Sequence, residues 1–293
     1  PVFYTDTGYP SRLRNCEDAP VMLYVKGDLD SDSRKVVSIV GTRKATDRGL
    51  EICNQLVDDL AENNPDMLIV SGLAYGIDIC AHKAALRNHL ATLAVLGHGM
   101  DTIYPSIHRS IAAEIARYGA LVSEFASHTP FMRGNFISRN RIIAGLADAT
   151  VVVESGEKGG ALITADIANS YNREVFAFPG RVDDVKSKGC NQMIKTSKAS
   201  LIESAADLEY IMGWEVNRQR QKVIQHRLFD DLDELSRHII SVLKNQGDLS
   251  IDELGCHCGL PVSRVSPLLL DLEFRGLIKS LPGNRYKIKL AAK

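Results

Sequence analysis

Between Val36 and about Ser204, short apolar runs alternate with amphipathic stretches along the chain. The runs VVSIVG, MLIVSG, TLAVLG, ALVSE, TVVVES and EVFAFPG are strand-length and apolar at successive positions, as expected of strands covered on both faces. Between them, LEICNQLVDDLAEN spaces its apolar residues at three- and four-residue steps, the stripe of a helix lying on a sheet. Strands alternating with helices predict a mostly parallel sheet with crossover helices, a doubly wound, Rossmann-like α/β domain over residues 31–215. Residues 1–30 form a lead-in segment before it.

After Gly213 this pattern stops. VNRQRQKVIQHRLFD is polar, basic and free of glycine, and reads as a linker or exposed helix over 216–230. Beyond it, ELSRHIISVLKNQG predicts one helix and SIDELGCHCG another, with Ser250 and Glu253 at capping-box spacing. PVSRVSPLLLDLEFRG predicts a third helix, and KSLPGNRYKIKL a hairpin turning at Pro282, Gly283 and Asn284. Three helices closed by a hairpin make a winged helix-turn-helix over 231–293.

The 293 residues suffice for about two domains of ordinary size. With 35 basic and 36 acidic side chains, the chain is not basic overall, so attraction to a polyanion must come from locally gathered charge. No apolar stretch approaches the ~18 residues of a membrane helix, and no charged-then-apolar leader opens the chain. A soluble, cytoplasmic protein without membrane contact is expected. Cys16, Cys53, Cys80, Cys190, Cys256 and Cys258 include no CxxC pair, so neither a disulfide framework nor a zinc ribbon is indicated. Cys256, His257 and Cys258 are neighbours on a predicted helix and point in different directions, so no metal site and no cofactor are expected.

The carboxyl ends of parallel strands share one edge of the sheet and form its ligand crevice. Here those ends are rich in glycine: Gly41, Thr42 and Arg43 close the first run, Ser71, Gly72 and Gly76 the second, and Gly97 and Gly99 flank His98 after the third. Gly156, Gly159 and Gly160 follow the fifth and Gly180 the sixth. Glycine admits close approach of backbone to a ligand, and amides at helix starts attract anions, so the edge suits phosphate. Arg43, Lys44, Arg109, Arg133, Arg139, Arg141, Lys158 and Arg181 fall in or beside these loops. A polynucleotide fits better than a dinucleotide, because GHGMDT stops short of GxGxxG. Tyr75, Tyr104, Phe131 and Phe136 offer aromatic faces on which unpaired bases could stack.

Two catalytic readings compete with binding. Ser71, Asp78 and His82 could be nucleophile, base and orienter, but Asp78 falls where a helix starts and His82 one turn on, which suits a cap and a core histidine better. The segment at 155–160 is similar to the phosphate loop of nucleoside-monophosphate phosphoribohydrolases, yet Ala161, Leu162 and Ile163 stand where those enzymes place a catalytic glutamate. No enzymatic activity is expected.

In order along the chain, GTRKATDRG, SGLAYGIDICAH, GHGMDTIYP, LVSE, SRNRIIAGLAD, ALITADIA, FAFPG and GCNQMI resemble the DprA/Smf family of DNA-processing proteins, from about Tyr9 to the C-terminus. The resemblance implies a single-stranded DNA-binding protein that forms a homodimer, protects incoming DNA in natural transformation and delivers it to the recombinase RecA. It also implies roles for Arg43 and Arg109 on phosphate, for Asn140 beneath the loop, and for Phe136 and Asn191 within family motifs. Departures from the family pattern are Lys158, Gly159 and Gly160 where Ser-Gly-Ser is usual, Ile137 in place of a proline, and Lys198 in place of a glycine. In the winged helix, Arg264 and Arg275 are the basic residues of the recognition-helix region, fewer than a strong major-groove reader shows.

Overall fold

The computed structural model describes residues 1–32, 34–214, 233–274, 277–281 and 283–288. They fall in two compact units, within Pro1–Val216 and within Asn217–Lys293. The expected linker at 216–230 lies outside the described residues, as do Arg275 and Pro282.

The first unit is built on β1 (Val2–Phe3), β2 (Met22–Gly27), β3 (Val36–Val40), β4 (Leu68–Ser71), β5 (Ala91–Leu96), β6 (Ala120–Ser123), β7 (Ala149–Val152), β8 (Glu174–Ala177) and β9 (Ser200–Leu201). They form one sheet in the order β1-β2-β6-β5-β4-β3-β7-β8-β9. From β6 to β9 every neighbouring pair is parallel, with Val37 of β3 aligned to Ile69 of β4 and Ala149 of β7.

Alternation along each strand sends side chains to two separate cores. Val36 and Val40 pack on one face with Leu68, Val70 and Val152, while Val37 and Ile39 pack on the other with Ile69 and Val151. That two-sided burial is why the runs are continuously apolar. Helices α2 (Asp47–Asn63), α3 (Ile77–Arg87) and α4 (Arg109–Tyr118) cover the Val37 face, through residues such as Leu56, Ala81 and Ile115. On the Val36 face lie α1 (Ser11–Arg14), α6 (Asn140–Leu146), α7 (Gly160–Ser170) and α8 (Lys188–Lys195), the short α5 (Arg133–Ser138) leading into α6 and α9 (Ala205–Ile211) returning to the α2 side.

The lead-in segment differs from expectation: it contributes strands of its own. MLYVKG forms β2, which pairs antiparallel with β6 and carries β1 on its outer edge. Arg12 then ties the segment to the sheet, its guanidinium donating to Asp148 at 2.6 Å and to the carbonyls of Ser31 and Arg34.

The second unit holds α10 (Glu234–Gln246), α11 (Ile251–Cys258) and α12 (Val262–Phe274), with β11 (Ile278–Leu281) and β12 (Arg285–Ile288) as an antiparallel hairpin. The short β10 (Leu249–Ser250) adds to β12. Ser250 and Glu253 form the capping box that starts α11, and Ile239, Leu254, Leu269 and Ile278 close a core of the unit's own. This is a winged helix.

Candidate nucleic-acid interface

The chain runs outward from β3 through β4, β5 and β6, then returns to lay β7 on the other side of β3. Strand order therefore reverses between β3 and β7, and the loops leaving these two strands diverge to open a crevice. A cleft of about 1270 Å³ lies there, lined by Gly41, Thr42 and Arg43 after β3, by residues 155–160 after β7, by α5 and by the start of α7.

The two loops are bound to each other at their roots. Glu154, just past β7, is buried and accepts from the backbone N–H of Thr46 at 2.8 Å and from its hydroxyl at 2.7 Å, while its carbonyl accepts from Thr42 N–H. Thr46 in turn caps α2 by accepting from Gly49 N–H. Glycine is required at the next loop: Gly76 has φ +75°, and a Cβ there would lie 2.1 Å from the Thr42 oxygen and 2.8 Å from the Arg43 carbonyl carbon. Gly41 packs against Ile77, Gly97 beneath Phe136, and Gly99 against the backbone of Ala126 and Ser127. Gly159 and Gly160 are exposed at the start of α7, and Asn140 Nδ2 donates to the Gly160 carbonyl at 3.3 Å.

Among the cationic side chains, Arg43, Arg133 and Lys158 line the cleft, are exposed and form no ion pair with another described residue. Lys44 and Arg109 are likewise exposed and unpaired among described residues, although neither lines the cleft. Acidic Glu157 and Asp166 on its rim are engaged by Lys188 and Lys198. The buried Asp78 faces Arg139 and Arg43 from the floor, and among the described residues Arg43, Arg133 and Lys158 are the exposed cleft-lining cations outside any ion pair, within a chain of net charge −1.

Other expected contacts lie beneath the surface. Arg139 is 4% exposed, and its guanidinium donates to the Val95 carbonyl at 2.8 Å and fills the space a Cβ would need at Gly72. Burial pulls its pKa down to about 10, and buried Asp78 nearby has its own pKa raised by desolvation against the counter-pull of Arg139. Arg139 therefore sits in the cleft floor, not at its open surface. Ser71 is also interior, its hydroxyl donating to the Ile39 carbonyl at 2.6 Å. Arg141 is committed to Glu124 and Asp18. Asn191 braces Gly180 through paired 3.0 Å hydrogen bonds and borders a neighbouring cleft that shares Glu157, Leu162 and Asp166 with the first.

Aromatic rings gather at one end of the cleft. Tyr104 stands 5.6 Å from Phe131 and 5.8 Å from Phe136, with exposures of 49% for Tyr104 and 52% for Phe131. Sequence reasoning missed His98, whose Nε2 accepts from Tyr104 N–H and whose ring lies 5.1 Å from Phe131. It missed Glu154 as well, although a carboxylate ending the apolar run TVVVE was a visible signal. Ser71, Asp78 and His82 do not form a relay: His82 is fully buried and engages Thr92.

A doubly wound α/β unit with a cationic, aromatic-edged cleft at its switch point, joined in one chain to a winged helix, defines the class. Residues 1–212 match the family model described as DNA recombination-mediator protein A, and residues 227–284 match the DprA winged helix domain. The chain belongs to the DprA/Smf family. Protein Smf of Synechocystis is 35% identical over 98% of this chain and 80% of its own length. The X-ray structure of DNA processing protein A from Streptococcus pneumoniae superposes with a TM-score of 0.66 at 38% identity, over 69% of this chain and 70% of that one. A Helicobacter pylori structure, described for the single-stranded DNA binding mode of its DNA processing protein A, gives 0.65 at 28% identity over 71% of this chain and 94% of that one.

Proposed function

We propose that this protein binds single-stranded DNA in the switch-point cleft without converting it chemically, and hands the strand to the recombinase RecA. The observation that carries this is the set of cations, Arg43, Arg133 and Lys158, unpaired among the described residues and facing a cleft with exposed aromatic rings at its end. Cations serve the phosphates and rings serve unpaired bases, a combination that suits a single strand and is wasted on a duplex. Gly41, Thr42, Lys44, Gly76, Gly97, Gly99, Gly159 and Gly160 shape the backbone around it, Phe136 backs the aromatic wall, and Ser71, Gly72, Arg139 and Asn140 support the floor. Arg109 extends the charge along the edge, and Asn191 holds the Gly180 loop.

The family's description as a recombination mediator supports the hand-over to RecA, and the Helicobacter pylori relative supports the choice of ligand. A homodimer formed through the α/β unit belongs to the same proposal, with a role in natural transformation. The direct test is fluorescence anisotropy with oligo-dT across a salt series. Arg43→Ala is expected to weaken binding and to make the log–log salt slope shallower by about 0.7 for each phosphate left without its cation. An unchanged slope would remove Arg43 from the site.

A further inference from the structure

We propose that the bound strand continues out of the cleft over the exposed ring of Tyr75, a stacking platform held between Arg43 and Arg109; this rests on the proposed strand-binding function and extends it. Tyr75 lies in the loop between β4 and α3, outside the lining of the cleft, and is 48% exposed. Its ring does not hang free. His108 meets it edge-on, with centroids 5.2 Å apart and planes at 68°. His108 is itself buried, and its Nδ1–H donates to the Leu73 carbonyl at 2.9 Å, so the imidazole is anchored to the backbone of the same loop.

A ring already held in place loses little conformational freedom when a base stacks on it. On one side, the Tyr75 loop touches the Arg43 loop, because the backbone of Thr42 and Arg43 occupies the space beside Gly76. On the other, Arg109 follows His108 directly and begins α4. Both arginines are exposed and form no ion pair with another described residue. A cation, an aromatic ring and a second cation therefore succeed one another along the carboxyl edge as it passes from β3 over β4 to β5, strands spaced at about 4.8 Å. This is the alternation that a backbone of phosphates with unpaired bases requires. The cleft opens towards α5 and α7, whereas Tyr75 and Arg109 stand at the starts of α3 and α4, so Arg43 is where a strand would cross the edge.

The test uses the full chain, its Tyr75→Ala and Tyr75→Phe variants, and two labelled oligo-dT probes of about 4 and about 16 nucleotides, the ends of the usual range of site sizes. Tyr75→Ala is expected to weaken binding of the long probe by about 5- to 150-fold and leave the short one unchanged, while Tyr75→Phe retains binding of both. Tyr75→Ala binding the long probe as tightly as wild type, or losing both probes equally, overturns the platform while the cleft stands. Absence of wild-type binding to either probe rejects the cleft and the platform together.

Discussion

At the scale of single residues, the polar groups under the cleft are as constrained as the apolar core. The Thr92 hydroxyl donates to the Ile69 carbonyl, so its oxygen accepts from His82 Nδ1–H, which makes the neutral imidazole the Nδ1–H tautomer. Burial pushes the His82 pKa down to about 3, with the nearby Arg139 charge adding to the effect. An unfolded histidine takes up a proton below about pH 6.5, and this folded one does so only near pH 3. The unfolded state thus binds more protons in that window, and stability should fall by about 1.4 kcal/mol for each pH unit of acidification. Urea denaturation of wild type and His82→Gln at several pH values measures this: the variant should shed that part of the slope. Parallel slopes would mean that the imidazole is not buried. Arg139 shows why residue roles were only partly legible in the sequence. Its place beside Asn140 marks a loop motif, but nothing in the letters tells a guanidinium that reaches solvent from one that turns under Gly72.

At the scale of elements, legibility followed burial. The strands from β3 to β8 stood out because both faces are covered and both must be apolar. β2 escaped notice as a sheet strand because it joins antiparallel at the margin, where only Leu23 is fully buried and the strand runs out to exposed Lys26 and Gly27. The coupling of the loops after β3 and β7 was invisible too, since it depends on Glu154 and Thr46 meeting across 108 positions of sequence. Glu154→Ala leaves Thr46 N–H without its acceptor in a partly buried site, which should cost about 1–3 kcal/mol of stability. If the carboxylate also sets the Arg43 loop, affinity for oligo-dT should fall in the same variant at temperatures where it stays folded. Thermal unfolding and anisotropy on one preparation separate the two effects, and unaltered stability would contradict the clamp.

At the scale of the whole molecule, the two units have separate cores, and the cleft lies wholly in the first. The sheet of that unit ends in β9, with Leu201 exposed there and Tyr210 and Ile211 exposed on α9 close behind in sequence. These apolar groups support the proposed homodimer. Sedimentation velocity of the intact chain should give a species of twice the 32.2 kDa chain mass, shifted to monomer by Leu201→Lys; a monomer at all micromolar concentrations would remove the dimer from the proposal. Among the described residues, the exposed side of α12 offers Leu270 and Phe274, with Arg264 near its start, a thin supply of charge on that helix for gripping a duplex. The strand preference of the protein should therefore come from the first unit. The most direct measurement is the affinity of the intact chain and of residues 1–214 for oligo-dT and for duplex of equal length, by anisotropy at one fixed salt concentration. Tighter binding of oligo-dT that survives removal of the winged helix is the predicted result. Equal affinity for the two ligands, or binding abolished by the truncation, would contradict the cleft as the DNA site.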